Sequence, residues 1–453
     1  MFSSAELVLS HPLVTAPIGL SLLRLAGPTT GVMVVQVFVA ISEAWIVARA
    51  GVDALAGIAL AIPFITLMMN MANGGMGGGV ASALARALGG GRHADARALV
   101  LHALLLGVGC SLVFTVFAWT ALPPVYRWLG GEGEALRQTL AFSSVWFSGA
   151  VVLWIGAFLS ALLRGGGDSV TPSRIGVVMS LVYVPVLGVL TLGVGDWPGL
   201  GLVGCAIAPL LTTSVSIALL ARPLMRGRLG FVPAMAGVRL QSRLFAEILR
   251  VGAMGSITTI TATITAMLVT GLVARFGTAA LAGYSIGMRL EFMLAPLAFG
   301  IGTGATTLVG IAAGAGAWPR AVKVAWTAGL TAAVAIGAIG GIIALMPDTW
   351  SRLFASDEAV IAASVACIVN VAPFYWLFGL GLTLNFASQG AGRMRVPVVA
   401  SLARLVVAAG GGWLAIERFG LGLHGVFAAI AASLIVYGVL IGGALLLKPW
   451  RAR

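Results

Sequence analysis

Apolar residues along this chain gather into long runs separated by short polar breaks. Twelve runs can be counted, at residues 20–47, 54–84, 98–121, 138–163, 172–193, 199–221, 248–274, 279–311, 322–346, 359–385, 396–416 and 423–447. A helix rises about 1.5 Å per residue, so about 20 apolar residues cross a hydrocarbon core of about 30 Å. Each run is of that order. The alternating ten-residue segments of a membrane β-barrel are absent. The pattern predicts an all-α integral membrane protein with twelve transmembrane helices.

The polar breaks orient the spans. One alternate set carries Arg86, Arg92 and Arg97, then Arg164 and Arg174, the run from Arg222 to Arg250, Arg320, Lys323, Arg393 and Arg395. The tail adds Lys448, Arg451 and Arg453. The other set holds fewer bases and most of the acids, among them Asp53, Glu132, Glu134, Asp196, Asp348, Asp357, Glu358 and Glu417. Basic loops stay in the cytoplasm, which puts both termini there.

Composition agrees with this reading. The chain is 60% hydrophobic and 9% charged, against about 45–50% and about 25% in soluble domains. The net charge of +13 belongs to the cytoplasmic loops and calls for no nucleic acid. Cys110, Cys205 and Cys367 are scattered through apolar spans and predict neither a metal cluster nor a disulfide. The start, MFSSAELVLSHPLVTAP, has no Lys or Arg before its apolar part and makes a poor signal peptide. It predicts a short interfacial segment.

The two halves repeat. VARAGVDALAG at 47–57 matches VARFGTAALAG at 273–283, offset by 226. LLRGGGDSVTP at 162–172 lies against ASQGAGRMRVP at 387–397, offset by 225, and GLGLVG at 199–204 matches GLGLHG at 420–425, offset by 221. The expected units are an N-terminal six-helix lobe at 1–222, a basic cytoplasmic linker at 223–247 and a C-terminal six-helix lobe at 248–453. An even number of spans gives both lobes the same orientation, a common transporter plan. Glycines are dense in GGMGGG at 74–79 and again at Gly300, Gly302 and Gly304. They let helices pack closely, or let them bend while the halves rock.

Catalytic signatures do not appear. GGMGGG lacks the Gly-Lys-Ser/Thr of a phosphate loop. His11, His93, His102 and His424 are far apart and make no metal-ligand spacing. No ATP-binding cassette is present, so uphill transport would draw on an ion gradient or a partner. The expectation is a protein that is not an enzyme and needs no cofactor.

Two acids lie well inside spans, Glu43 in the first and Glu291 in the eighth. A lone charge at mid-membrane costs at least about 2.5–3.5 kcal/mol, and desolvation disfavours the charged form of a carboxyl group. A glutamate placed there can exchange protons near neutral pH or neutralise a cationic ligand. Glu43 is therefore the candidate coupling group, against the reading of a structural acid bonded to a neighbouring helix. Val269 holds the equivalent place in the second half, so Glu43 acts in one lobe only. Arg289 stands two residues before Glu291, and residues two apart on a helix do not face each other. The remaining candidates for a substrate cavity are Gln36, Asn70, Asn73, Tyr284, Met288, Arg289, Glu291, Asn370, Tyr375 and Asn385, with Gln389 nearby. Gln36 shares the Glu43 face, two turns away. Met68, Met69, Met71, Met76, Met288 and Met293 suit either an adaptable pocket or ordinary core.

An acid eight residues before a glycine, then ALAG, then a Gly-rich second span ending in ALGGGRHADA, resembles the multidrug and toxic compound extrusion (MATE) transporters. So do RGGGDSVTP at 164–172 and GLGLVGCAIA at 199–208, and the likeness covers nearly the whole chain. The resemblance implies two lobes around a cavity open alternately to each side. It implies export of organic cations or amphipathic drugs in exchange for protons or sodium ions, across the bacterial inner membrane. In the family an aspartate of the first helix carries the coupling ion, and Glu43 holds that position. Helix five often brings an asparagine and an aspartate before a proline. Here SLVYVP puts Ser180 and Val184 in those places and keeps Pro185. The missing acid favours H+ over Na+. Small-molecule substrates and membrane lipids are the expected partners, and nothing demands more than a monomer. The rivals are a sodium-coupled exporter, a lipid-linked precursor flippase of the same superfamily, and a membrane-embedded lipid enzyme. The sequence reading sets Arg24 and Arg404 nearer the cytoplasmic ends, which leaves two acids against Arg289 inside the spans and favours cation export over the flippase.

Overall fold

The computed structural model describes residues 12–234 and 237–451. His11, most of the expected interfacial segment and Arg453 lie outside the described residues. Among the described residues the chain is helical, with one isolated bridge between Val194 and Trp197. The long helices are α1 (Ile18–Arg49), α2 (Val52–Gly89) and α3 (His93–Thr120), then α4, α5 (Val170–Leu192) and α6 (Leu202–Met225). The second half gives α7 (Ser242–Ala274), α8 (Thr278–Gly314), α9 (Trp318–Leu345), α10 (Glu358–Ala391), α11 (Arg395–Glu417) and α12 (Gly422–Leu447). Eleven are each long and apolar enough to cross a membrane, and α4 is a pair, Gly133–Ser148 and Ala150–Gly165, bent by 47°. The bend falls at Gly149, where a Cβ would run into the Leu210 side chain. Twelve spans result.

The repeat is visible in the backbone. Gly51 ends the α1–α2 turn at φ 120°, and Gly277 does so between α7 and α8 at φ 96°. Gly201 and Gly422 open α6 and α12 at φ 56° and 59°. Only glycine enters that region without a steric penalty, which explains why the matched blocks are built around these residues.

One boundary differs from the sequence expectation. Residues 242–247 of the expected linker already belong to α7. Their charges find partners: Arg243 meets Asp95 at 2.7 Å, and Glu247 meets Arg92 at 3.2 Å and Arg86 at 3.6 Å. Hydropathy alone ends a span at its first charges, whereas these charges are stapled to the end of α2 and the start of α3.

Apolar side chains form two large cores. Ile46 and Val47 from the end of α1 join the core of the first six helices, and Leu22, Leu25 and Ala26 from its beginning join the other. α7 mirrors this, with Leu244 and Ile248 in the first core and Val269 and Val273 in the second. α1 and α7 therefore each cross from one core to the other.

The halves also meet along α2, α8 and α10 at the end that carries the basic loops. In hydrocarbon, apolar side chains gain nothing by leaving lipid, so helices associate where small residues allow backbones to touch. A Cβ on Gly79 would meet the Ile248 carbonyl at 2.7 Å, and one on Gly310 would meet Ala85 at 2.7 Å. Gly89 lies against the Ile311 carbonyl and Gly314 against that of Arg86. Ser82 donates to the Gln389 carbonyl at 2.5 Å, and Arg86 donates to Gly390 at 3.3 Å. Overpacking such a contact costs about 1–3 kcal/mol, enough to move a two-state ratio by roughly 5–150-fold. Gly314→Val is therefore expected to open this end. Maleimide labelling of a cysteine introduced at Ala85, fully buried here, should speed up at least severalfold; unchanged labelling would show that the contact does not hold the end shut.

Candidate functional site

α1 and α5 are joined by two polar rungs in otherwise apolar surfaces. Glu43, half-buried on α1, has Tyr183 of α5 as its hydrogen-bond partner. Two turns back, the Gln36 amide donates to the Ser180 hydroxyl at 3.1 Å. The spacing from 36 to 43 puts both α1 groups on one face, and Ser180 and Tyr183 stand about one turn apart on α5. Cys205 of α6 lies close to Glu43, and its thiol is 3.3 Å from the Thr191 hydroxyl. Phe38, Ile41 and Trp45, from the rest of the helix, are exposed. Pro28 in α1 and Pro185 in α5 each remove a backbone hydrogen bond, leaving places where these helices can flex.

A second polar group forms inside the C-terminal half. Arg404 of α11 lies 3.3 Å from the Glu291 carboxylate on α8, and both side chains are largely enclosed. The guanidinium also faces the rings of Phe378 and Tyr437 at 5.4 and 5.6 Å. Tyr284 stacks on Phe427 at 6.3 Å, and buried Tyr375 packs on Phe378 at 6.5 Å. This corrects the expectation that Arg404 stays near the cytoplasmic end. It starts from that end but reaches the acid that would otherwise lack a partner. Arg289 instead lies exposed, over the Phe354 ring at 4.7 Å.

A third set lies between the halves. α2 contains a π-helical turn at Met71–Gly75, a feature frequent at functional sites. Asn73 sits on it and donates to the Met69 carbonyl at 3.0 Å. From the other half α10 brings Gln389, whose side chain packs against Gly78 of α2, and Asn385; both are buried, and their side-chain oxygens have no hydrogen-bond partner. Asn70 is exposed, and Asn370 donates to the Ala366 carbonyl at 2.7 Å. Met68 and Met76 are buried in the first core, and Met288 packs against the second.

The candidates thus fall into three groups: Gln36 and Glu43; Asn73 with Asn385; and Tyr284, Glu291 and Tyr375. Sequence reasoning missed Tyr183 and the Arg404 partnership. Tyr183 had a signal, being a hydroxyl in an apolar span two residues before a proline. Arg404 was set near the cytoplasmic end of its span, and its partner lies 113 positions away.

The MatE family model matches residues 28–189 and 256–414, once in each half. A probable multidrug resistance protein NorM of Deinococcus radiodurans is 31% identical over 461 residues, covering 96% of each chain. A probable NorM of Thermotoga maritima is 27% identical over 433 residues, covering 91% of this chain and 89% of its own. The solved structure of a MOP superfamily transporter from Pyrococcus furiosus aligns with a TM-score of 0.88 over 99% of this chain and 98% of its own, at 22% identity.

Removing one partner of a buried pair leaves the other uncompensated, at about 3–5 kcal/mol, whereas replacing both by apolar groups is near neutral. Glu291→Leu should lower the melting temperature in detergent clearly, and Glu291→Leu with Arg404→Met should recover most of the loss. If the double variant melts as low as the single one, the pair is not what stabilises this region.

Proposed function

Because the chain belongs to the MatE family of multidrug efflux transporters, we propose that it exports organic cations or amphipathic drugs in exchange for protons, with Glu43 as the coupling group. The observation that carries this reading is the Glu43–Tyr183 contact on α1, the helix whose two ends belong to different cores. A change of charge at Glu43 acts on the grip between α1 and α5, and so on how the halves are held together. By the distribution of basic residues, the end closed by α2, α8 and α10 faces the cytoplasm of a bacterial inner membrane. The arrangement is then an outward-facing one, with both termini inside.

In this state a periplasmic proton neutralises Glu43, weakens the α1–α5 rungs and releases a bound cation. The six-helix lobes, α1–α6 and α7–α12, then rock about their interface, and the proton leaves to the cytoplasm. A ligand drives the cycle only through its different affinity for the two states. Proton rather than sodium coupling is supported by the single carboxylate of the α1–α5 group, where Ser180 supplies a hydroxyl and the place of a second acid is taken by Val184. The protein works as a monomer, with lipid around its outer faces.

The test uses inside-out vesicles with an imposed proton gradient and a pH-sensitive dye. Adding organic cations should release protons in the wild type, and Glu43→Gln should abolish the response at equal expression. Normal cation-driven proton release in Glu43→Gln would refute the coupling role. Silence of both proteins under a proton gradient, with cation uptake under a sodium gradient, would replace the proton by sodium.

A further inference from the structure

Beside the charges that staple α7 to the first half lies a buried titratable side chain that the transport reading does not use. His102 of α3 is fully buried, whereas His93 and His424 are exposed. Its Nδ1 lies 2.8 Å from the Ala98 carbonyl, and its Nε2 accepts from the backbone N–H of Gln241 at 2.9 Å. The ring also packs on Phe245, with centroids 4.6 Å apart. Gln241 is the N-cap of α7, and Phe245 belongs to its first turn. His102 thus holds the root of a helix that crosses between the two cores. Further along α7, the Ile248 carbonyl packs against Gly79 of α2, within the closed end.

The two bonds fix the state of the ring. A carbonyl can only accept, so Nδ1 carries a proton; a backbone N–H can only donate, so Nε2 carries none. Both conditions hold only for the neutral imidazole. A second proton would set an N–H on Nε2 against the Gln241 N–H and break the tie between α3 and α7. No counter-charge is free at this end among the described residues. Its acids are taken, Asp95 by Arg92 and Arg243, Glu247 by Arg86 and Arg92, and Asp168 by Arg228. The other charged groups on α3 and the elements packed beside it here are cations: Arg97 on α3, Arg164 on α4, Arg239 before α7 and Arg250 on it. The positive end of the α7 dipole also points toward Nε2. Of the ties at the root of α7, this one alone depends on a group whose charge ordinarily changes between about pH 5 and pH 8.

We propose that His102 is a pH-sensitive latch. Neutral, it clamps the root of α7 to α3 and helps keep the end formed by α2, α8 and α10 closed. Protonated, it releases α7 and lets that end open. A proton shifts the balance because it binds the released arrangement better than the clamped one. The latch depends neither on Glu43 nor on the coupling ion. It rests on the orientation proposed above only for the compartment it reads, the cytoplasm, where falling pH unlocks it.

Hydrogen–deuterium exchange of the purified full-length protein reads the latch directly. Exposure times are scaled to the intrinsic exchange rate at each pH. Peptides spanning 238–246 should lose protection at least about fivefold between about pH 7.5 and about pH 5.5, the interval in which imidazoles titrate. His102→Gln, whose amide oxygen accepts without titrating, should stay protected at both. His102→Phe, which keeps an aromatic ring and loses the acceptor, should be unprotected at both. Wild-type protection that ignores pH, or a loss of the same size in His102→Gln, overturns the latch. If His102→Gln does not fold, His102→Phe decides: a pH dependence equal to the wild type overturns the proposal, and its absence supports it. The hold on the closed end is read by maleimide labelling of Ala85→Cys, corrected for the thiolate fraction at each pH. Labelling should speed up severalfold over the same interval with His102 in place and not with His102→Gln. Labelling that ignores pH while the root of α7 exchanges would confine the release to that root and overturn the latch.

Discussion

Hydrocarbon offers a buried polar group no hydrogen bonds, and most of this structure answers to that constraint. The backbone meets it by becoming helix, because a helix satisfies its own N–H and C=O groups within one segment. Side chains meet it by pairing across helices, and the pairs mark where helices hold each other. Gln36 with Ser180 and Glu43 with Tyr183 tie α1 to α5. Glu291 with Arg404 ties α8 to α11. Ser82 and Arg86 tie α2 to the carbonyls at the end of α10. Between these ties the contact is made by glycine and alanine, which fix how closely helices approach but do little to choose a partner.

The two halves share a backbone plan and differ in their chemistry. Matched glycines turn the chain at matched places, yet Val269, buried in the second core, stands where the first half has Glu43. The second half places its own carboxylate on a different helix and neutralises it with an arginine and a surround of aromatic rings. Glu43, half-buried, has a phenol beside it and no arginine. The duplicated fold thus repeats its backbone plan without repeating the placement of its acids.

Much of this was legible in the sequence, because membrane spans are written in runs of about 20 apolar residues. All twelve were visible, and so was the repeat, since VARAGVDALAG and VARFGTAALAG need no structure to be matched. What escaped depends on distance in the chain. The start of α7 at Ser242 was hidden because Arg243 and Glu247 look like loop residues until Asp95, Arg92 and Arg86 are placed beside them. Arg404 looked like an interfacial charge for the same reason. The π-turn at Met71–Gly75 and the bend at Gly149 sit inside apolar runs whose hydropathy does not register them. Glu43 was found because a single acid in such a run is conspicuous, whereas Tyr183 was apolar enough to pass.

The crossing of α1 and α7 between the cores has a mechanical consequence. Two blocks joined only at a flat face can part along that face. Two blocks each holding one end of a pair of diagonal struts cannot. If either half turns, both struts must tilt, and they lean in opposed senses, since α1 begins in the second core and α7 begins in the first.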